Sequence, residues 1–174
     1  MRYRSVPLTT TLRHYCRVNV AATLLCALAV QAYGDEPNRI YDGNCALCHQ
    51  KTGRGLRGQF PRLAGRATEI AATAEGRRYL IEVVLFGMAG KVDVDGDPIV
   101  GVMPSFVALS NSDPASVLNY VTQLDGPATS DARQAFITEA DVQAIRLGQQ
   151  LSAAQVRADR DSPALKPALA KRTK

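Results

Sequence analysis

Apolar residues recur at the spacing of one helical face in two stretches of the first hundred residues. One face, which includes two cysteines, predicts a helix over residues 37–48. Its residues are Ile40, Tyr41, Asn44, Cys45 and Cys48. A second face predicts a helix over residues 76–88: Leu80, Val83, Val84, Gly87 and Met88. Residues 50–58, with three glycines and three cations, are typical of a solvated loop. The pattern thus places a glycine-rich loop after the first helix.

The pattern changes to alternation after residue 90. Apolar residues alternate on both sides of Asp95-Gly96, a turn signal, and predict a hairpin over residues 91–100. Asp113 and Pro114 then predict a helix start, as cap and first helical residue. This helix is expected to end at residues 125–127 and has one apolar face: Val117, Leu118, Val121 and Leu124.

The C-terminal part is predicted to be an extension of one main domain, which we assign to residues 33–126. Thr138 and Ser152 predict the N-caps of two short helices within residues 127–160. These helices either pack on their own domain or form a docking arm for a partner. Residues 161–174 are rich in Pro, Ala and Lys, and we expect them to be disordered.

The N-terminal segment, residues 1–32, has the parts of a secretory signal peptide. Four arginines precede an apolar run that extends from Val18 to Val30, and small residues permit cleavage after Ala32. The run is short for a membrane span, which needs about 20 apolar residues. We therefore predict a periplasmic protein, which would contact the membrane only if the signal were left uncleaved.

The charge distribution argues against nucleic-acid binding. The formal net charge of the chain is +5, but residues 33–154 contain 11 basic and 14 acidic residues. The excess of positive charge lies in the two ends, residues 1–32 and the last twenty residues. Because the middle has no basic stripe interleaved with aromatic residues, we predict no nucleic-acid partner.

The segment Cys45-Ala46-Leu47-Cys48-His49 has the C-x-x-C-H pattern of a c-type haem attachment site. Two thiols one helical turn apart can form thioethers with the two vinyl groups of haem, and the adjacent imidazole can then bind iron. The other two cysteines of the chain lie in residues 1–32. We therefore predict one covalent haem c, with His49 as an iron ligand and no disulfide in the mature protein.

Other interpretations of the two cysteines fit less well. A thioredoxin-like C-x-x-C needs a strand before it and a helix after it, whereas a helix is predicted to lead into Cys45. A structural zinc site needs a second pair of Cys or His ligands, and none follows His49 in the sequence.

Two methionines of the mature chain are candidates for the second iron ligand. Met88 falls within an apolar helical stripe, where methionine is commonly a core residue. Met103 follows the hairpin and precedes Pro104, which favours an extended backbone from which the side chain can project. We therefore predict Met103 as the sixth ligand, so that both metal ligands, His49 and Met103, are protein side chains.

These motifs resemble those of the class I cytochromes c, over about residues 36–126. The resemblance implies an all-α fold of helices around one haem, here with a short hairpin before the axial methionine and a helical C-terminal extension. It implies that the carbonyl of Pro61, twelve residues after His49, accepts a hydrogen bond from the imidazole. By the same resemblance, Leu63 packs near the haem edge. Arg66 either reaches a propionate or is an ordinary exposed arginine.

Iron with a His and a Met ligand has no open position, which indicates one-electron transfer and not catalysis. We expect redox partner proteins, with a periplasmic dehydrogenase as donor and the respiratory chain as acceptor. The hairpin and extension resemble those of small cytochromes paired with sulfite or alcohol dehydrogenases. The alternatives are a freely diffusing shuttle to a terminal oxidase or reductase, and a haem enzyme or gas sensor with an open iron.

Overall fold

The computed structural model describes residues 36–124 and 136–170. In these ranges the chain forms eight helices and one hairpin: α1 (Glu36–Asn44), α2 (Ala46–His49), α3 (Arg66–Ala71), α4 (Ala74–Phe86), β1 (Met88–Val94), β2 (Asp97–Met103), α5 (Ser112–Val121), α6 (Glu139–Leu147), α7 (Ala153–Asp159) and α8 (Lys166–Ala170). The predicted signal peptide, residues 1–32, and the predicted helix end at 125–127 lie outside the described residues.

The first helix of the sequence prediction is interrupted at Cys45. This residue lies between α1 and α2, although the amide of Cys45 still donates to the carbonyl of Tyr41 at 2.8 Å. Tyr41 is completely buried, and its ring packs on that of Tyr120 in α5 with centroids 5.4 Å apart. Helices α1 and α5 therefore share a cluster of buried residues: Ile40, Tyr41, Ala67, Val117 and Val121.

The hairpin begins earlier and ends later than predicted. Gly87 has φ +74° and ends α4, and a side chain there would meet the carbonyl oxygen of Met103 at 2.5 Å. Met88 is consequently the first residue of β1, which corrects its assignment to the helical stripe. The strands pair antiparallel from Met88↔Met103 to Val94↔Asp97, so Met103 ends β2 instead of standing in a loop.

The C-terminal extension packs on its own domain. Val142, Val156 and Leu165 are buried in the cluster that α4 and α5 also form, with Ile81 and Leu85 at its centre. Thr138 and Ser152 are the N-caps of α6 and α7, as the sequence predicted, and each forms a capping box, with Asp141 and Gln155 respectively. The described part of the extension therefore contributes buried residues to the core of the domain.

Residues 161–170 form turns and the short helix α8 in the structure, within the segment that composition predicts to be disordered. Leu165 is buried, and α8 follows it and lies next to α3. The apolar surface of Leu165 gives this segment the burial that its composition alone did not indicate. Residues 171–174 are outside the described part of the chain.

None of the helices in residues 36–124 and 136–170 is long and apolar enough to cross a lipid bilayer.

Candidate functional site

A cleft lies between the Cys45–His49 segment and the hairpin. Its volume is about 740 Å³, including the space at its mouth. Among the described residues, polar side chains on its wall come from Asn44, His49 and Gln59, and the other lining residues contribute apolar groups, cysteines, glycines and backbone. Most small-molecule and cofactor sites are likewise lined mainly by apolar side chains with a few polar groups. The wall of the cleft is therefore apolar enough for a flat hydrophobic cofactor.

The two cysteines stand at the start and within the short helix α2, and both line the cleft. The backbone amide of His49 donates to the carbonyl of Cys45 at 2.9 Å. Burial, and next the neighbouring Cys48, raise the pKa of the Cys45 thiol to about 11. A thioether has no proton to lose, so this apolar position suits the attached form of the side chain.

His49 is held in one orientation by its neighbour Pro61. The residue is 6% exposed, and its Nδ1 lies 2.9 Å from the carbonyl oxygen of Pro61. Because a carbonyl can only accept, Nδ1 bears the hydrogen and Nε2 keeps a free lone pair. Burial lowers the pKa of His49 while the hydrogen bond to Pro61 opposes the shift. The imidazole is thus neutral and has one nitrogen available to a metal.

Both methionines in the described residues line the cleft, but their sulfur atoms have different surroundings. Tyr79 is buried and donates its hydroxyl to the Sδ of Met88 at 3.4 Å. Met103 is half-buried at the end of β2. The hydrogen bond on Met88 favours Met103 as the metal ligand, although Met88 lies nearer the site than the sequence prediction placed it.

Strand alternation gives the hairpin a face with little side-chain volume at its centre. Gly90 pairs with Gly101, and both line the cleft. Val92 and Ile99, two register positions further along the ladder, are buried and also line it. A Cβ at Gly101 would point into open space. A planar group can therefore approach the backbone of the hairpin closely at Gly101.

Two residues singled out from the family resemblance lie elsewhere. Leu63 packs with the Tyr41 cluster and does not line the cleft, and its amide donates to the carbonyl of Gly53 at 2.7 Å. Arg66 is buried, which corrects its interpretation as an ordinary exposed arginine, and it does not line the cleft. Its guanidinium pairs with Asp95 at 3.6 Å and donates to the carbonyl of Leu169 at 3.2 Å. Burial, and next the nearby Arg160, lower the pKa of Arg66.

Sequence reasoning missed part of the cleft wall. Gln59, Phe60 and Phe106 line it from the loops next to Pro61 and after Met103. Phe60 and Phe106 could have been found from the sequence, because each is aromatic and lies within three residues of a predicted site residue. Gln59 is equally close to Pro61, but its residue type does not indicate an apolar cofactor site.

The residues on the cleft fit a haem. Cys45 and Cys48 are on its wall, the neutral imidazole of His49 faces the same space, and Met103 contributes a thioether. The apolar lining suits the porphyrin, and the open space at Gly101 suits its flat shape. Nitrogen and thioether ligands are a known pair for haem iron.

Comparisons with known proteins point in the same direction. A family model for cytochrome c matches residues 35–125. One cytochrome c-552 of Thermus thermophilus is 40% identical over 151 residues, which cover 86% of this chain and 99% of the relative. Another cytochrome c-552 of Thermus thermophilus is 40% identical over 128 residues, covering 74% of this chain and 96% of the relative.

Proposed function

This chain belongs to the cytochrome c family, and from that membership we propose that it transfers electrons in the periplasm through a haem held by Cys45, Cys48, His49 and Met103. Members of the family bind a covalent haem c and act as electron-transfer proteins, not as enzymes. The all-α fold with a small hairpin agrees with the class I arrangement. The assignment of individual residues to the haem is the proposal.

The observation that supports these assignments best is the position of His49 and Met103 on one apolar cleft. Haem supplies an iron that gains and loses one electron. His49 offers Nε2 because Pro61 occupies Nδ1, and Met103 offers a sulfur atom whose lone pairs no described hydrogen bond uses. Two side-chain ligands leave no position for substrate, which favours outer-sphere transfer.

The exposed rim of the cleft is the proposed route for the electron. Leu47 lies between the two cysteines and is 90% exposed, and Val102 beside the cleft is 75% exposed. These side chains bring an apolar rim to the surface next to the thioether positions. A partner that docks there would come close to the haem edge without opening the cleft.

The donor is proposed to be a periplasmic dehydrogenase, and the acceptor a terminal oxidase or another cytochrome. Because residues 136–170 pack into the core, they do not stand out as an arm for a partner. This supports the freely diffusing form of the carrier over a fixed subunit of a dehydrogenase. Export follows from the proposed signal peptide in residues 1–32.

The experiment that tests the site compares Met103→Leu with Met88→Leu, each a swap of similar volume. Leu cannot ligate iron. We expect Met103→Leu to keep its attached haem, lose the weak far-red band of thioether bound to ferric iron, and bind carbon monoxide when reduced. Met88→Leu should retain the band, because the sulfur of Met88 accepts a hydrogen bond from Tyr79 and is not the proposed iron ligand.

Two results would contradict the proposal. Loss of the band in Met88→Leu but not in Met103→Leu would mean that Met88, and not Met103, is the sixth iron ligand. Rapid carbon monoxide binding by the unmodified protein would mean an open iron, and the haem enzyme or gas sensor would replace the carrier.

A fixed dehydrogenase subunit would co-purify with its partner, whereas a shuttle would show weak encounters that weaken with salt.

A further inference from the structure

Arg146 of α6 connects the C-terminal extension to the segment that follows Met103. Its Nε donates to Oδ1 of Asn111 at 2.7 Å, and its Nη2 donates to the carbonyl of Leu109 at 2.8 Å. Its Nη1 donates to the carbonyl of Val107. One guanidinium thus satisfies three acceptors in residues 107–111. The planar fork of arginine suits this arrangement, which a single ammonium could not reproduce.

Arg157 in α7 and Arg160, the residue that follows α7, contact strand β1 of the hairpin. Arg160 is buried and donates to the carbonyl of Asp93 at 3.1 Å and to the hydroxyl of Tyr79 at 3.5 Å. Arg157 donates to the carbonyl of Lys91. These two carbonyls lie in β1, the strand that pairs with β2 and begins opposite Met103.

Between these two contacts, the Met103 segment is attached to α4. The hydroxyl of Ser105 donates to the carbonyl of Leu85 at 2.5 Å, and the amide of Phe106 donates to the carbonyl of Val84 at 3.0 Å. Residues 104–111 form turns and bends instead of a helix or strand. A segment of this kind opens more easily than a core helix, so bonds from outside it affect how long Met103 stays in place.

We infer that Arg146 and Arg160 are positioning residues for the sixth ligand: Arg146 holds the segment that follows Met103, and Arg160 holds β1, the strand that pairs with β2. Together they would keep the sulfur of Met103 in place for the iron. The inference rests on Met103 being the ligand proposed above. Two arginines that are remote in sequence and do not line the cleft thus set how readily another ligand replaces Met103. The extension thereby acts on the redox site and not only on fold stability.

The test uses the holoprotein and imidazole as a competing ligand. The far-red band is followed as imidazole is added to the ferric protein, and the concentration that halves the band is recorded. Loss of the three hydrogen bonds made by the Arg146 guanidinium should make the open form about 5- to 30-fold more populated. We therefore expect Arg146→Ala to lower the half-concentration by about that factor.

Three variants separate positioning from a change in charge or overall stability. Arg57→Ala removes an exposed cation paired with Asp97 and should leave the half-concentration unchanged. Arg146→Lys keeps the charge but not the fork, and should recover only part of the loss. Asn111→Ala removes one acceptor of Arg146 and gives a milder variant if Arg146→Ala fails to fold. In Arg146→Ala, backbone amide hydrogen exchange should be faster than in the unmodified protein at residues 101–109 and unchanged at residues 40–49.

The outcomes distinguish the inference from the proposed function. If the unmodified protein has no far-red band, Met103 is not the ligand and both are wrong. If the band is present but Arg146→Ala and Asn111→Ala respond to imidazole as Arg57→Ala does, the inference is wrong and the electron carrier stands. Equal exchange increases in residues 40–49 and 101–109 would also overturn it, because they would indicate general destabilisation.

Discussion

The two sides of the cleft are built in different ways. On one side, Cys45, Cys48 and His49 lie within five residues, and the partner of the imidazole, Pro61, is twelve residues away. On the other side, Met103 ends a strand whose neighbours are held by α4, α6 and α7. The first side is determined by local sequence, and the second depends on contacts that form only when distant segments have folded.

This difference separates attachment of the haem from control of its iron. A local motif can present the thiols and imidazole whether or not the remaining fold is complete. A ligand placed by long-range contacts can instead be tuned, because changes in several helices alter its surroundings without touching the attachment site. Substitutions on the two sides should therefore have effects of different kinds.

The largest effect is expected from His49→Ala. The change removes the proposed iron ligand and the hydrogen bond to Pro61 from a buried position. We expect the yield of holoprotein to fall by more than about 10-fold. Loss of a residue that only hydrogen-bonds to a metal ligand already lowers metal affinity by about that factor. The measurement is attached haem per polypeptide after export. Met103→Leu is the matched variant from the other side and should keep its haem; similar yields for both would remove the contrast.

A smaller effect is expected from Leu165→Ala in the extension. Leu165 is 5% exposed within the main core, and truncation there should lower the free energy of unfolding by about 2–5 kcal/mol. Leu147→Ala is the control, because Leu147 is 78% exposed and the same truncation should cost less than about 0.5 kcal/mol. Denaturant unfolding of the two holoproteins measures the difference.

The same pair of variants tests how the extension acts on the two sides. Leu165→Ala should leave haem attachment complete while making the far-red band easier to displace. Equal stability of the two leucine variants would show that the extension is not part of the cooperative core. Loss of attached haem in Leu165→Ala would show that the attachment side also depends on it.

The smallest effect is expected from Asp141→Asn at the start of α6. Hydrogen bonds from the hydroxyl and then the backbone amide of Thr138 hold the pKa of Asp141 below its ordinary value of 3.8. The carboxylate therefore stabilises the fold above pH 3.8, and this contribution is lost as the pH falls through the lower folded-state pKa. Because the cap is exposed, the loss at pH 7 should be about 0.5 kcal/mol.

Unfolding of Asp141→Asn and the unmodified protein over a range of pH checks this prediction. Their difference should be largest near neutral pH and should close in acid. Glu139→Gln, in the same turn but outside the capping box, is the control and should give a smaller difference. A difference that stayed constant in acid would mean that the cap acts through packing and not through the carboxylate charge.

Local signals predicted most of the helices. Thr138 and Ser152 start α6 and α7 because a hydroxyl and a carboxylate or amide three residues later satisfy the first amides of a helix. Helix α4 ends at Gly87 and not, as the apolar stripe predicts, at residue 88. Glycine adopts the positive φ that commonly ends a helix, even where it falls within an apolar stripe. Met88 was consequently placed on the wrong element.

The site was predicted where its residues are close in sequence and only in part where they are distant. The five-residue motif placed Cys45 and His49 on the cleft. The burial of Arg66 could not be inferred, because its partners Asp95 and Leu169 come from a hairpin turn and from the last described helix. The burial of Leu165 could not be inferred for the same reason: composition does not reveal which distant surface a single leucine will cover.

The ring contact between Tyr41 and Tyr120 has a consequence for folding speed. These residues lie near opposite ends of the range 36–124, and the contact closes a loop of chain that contains every residue proposed for the haem. Such closure has an entropy cost that grows with the logarithm of loop length, and long-range contacts slow folding. Completion of the cleft should therefore wait for the docking of α1 on α5, long after the helix containing His49 can form.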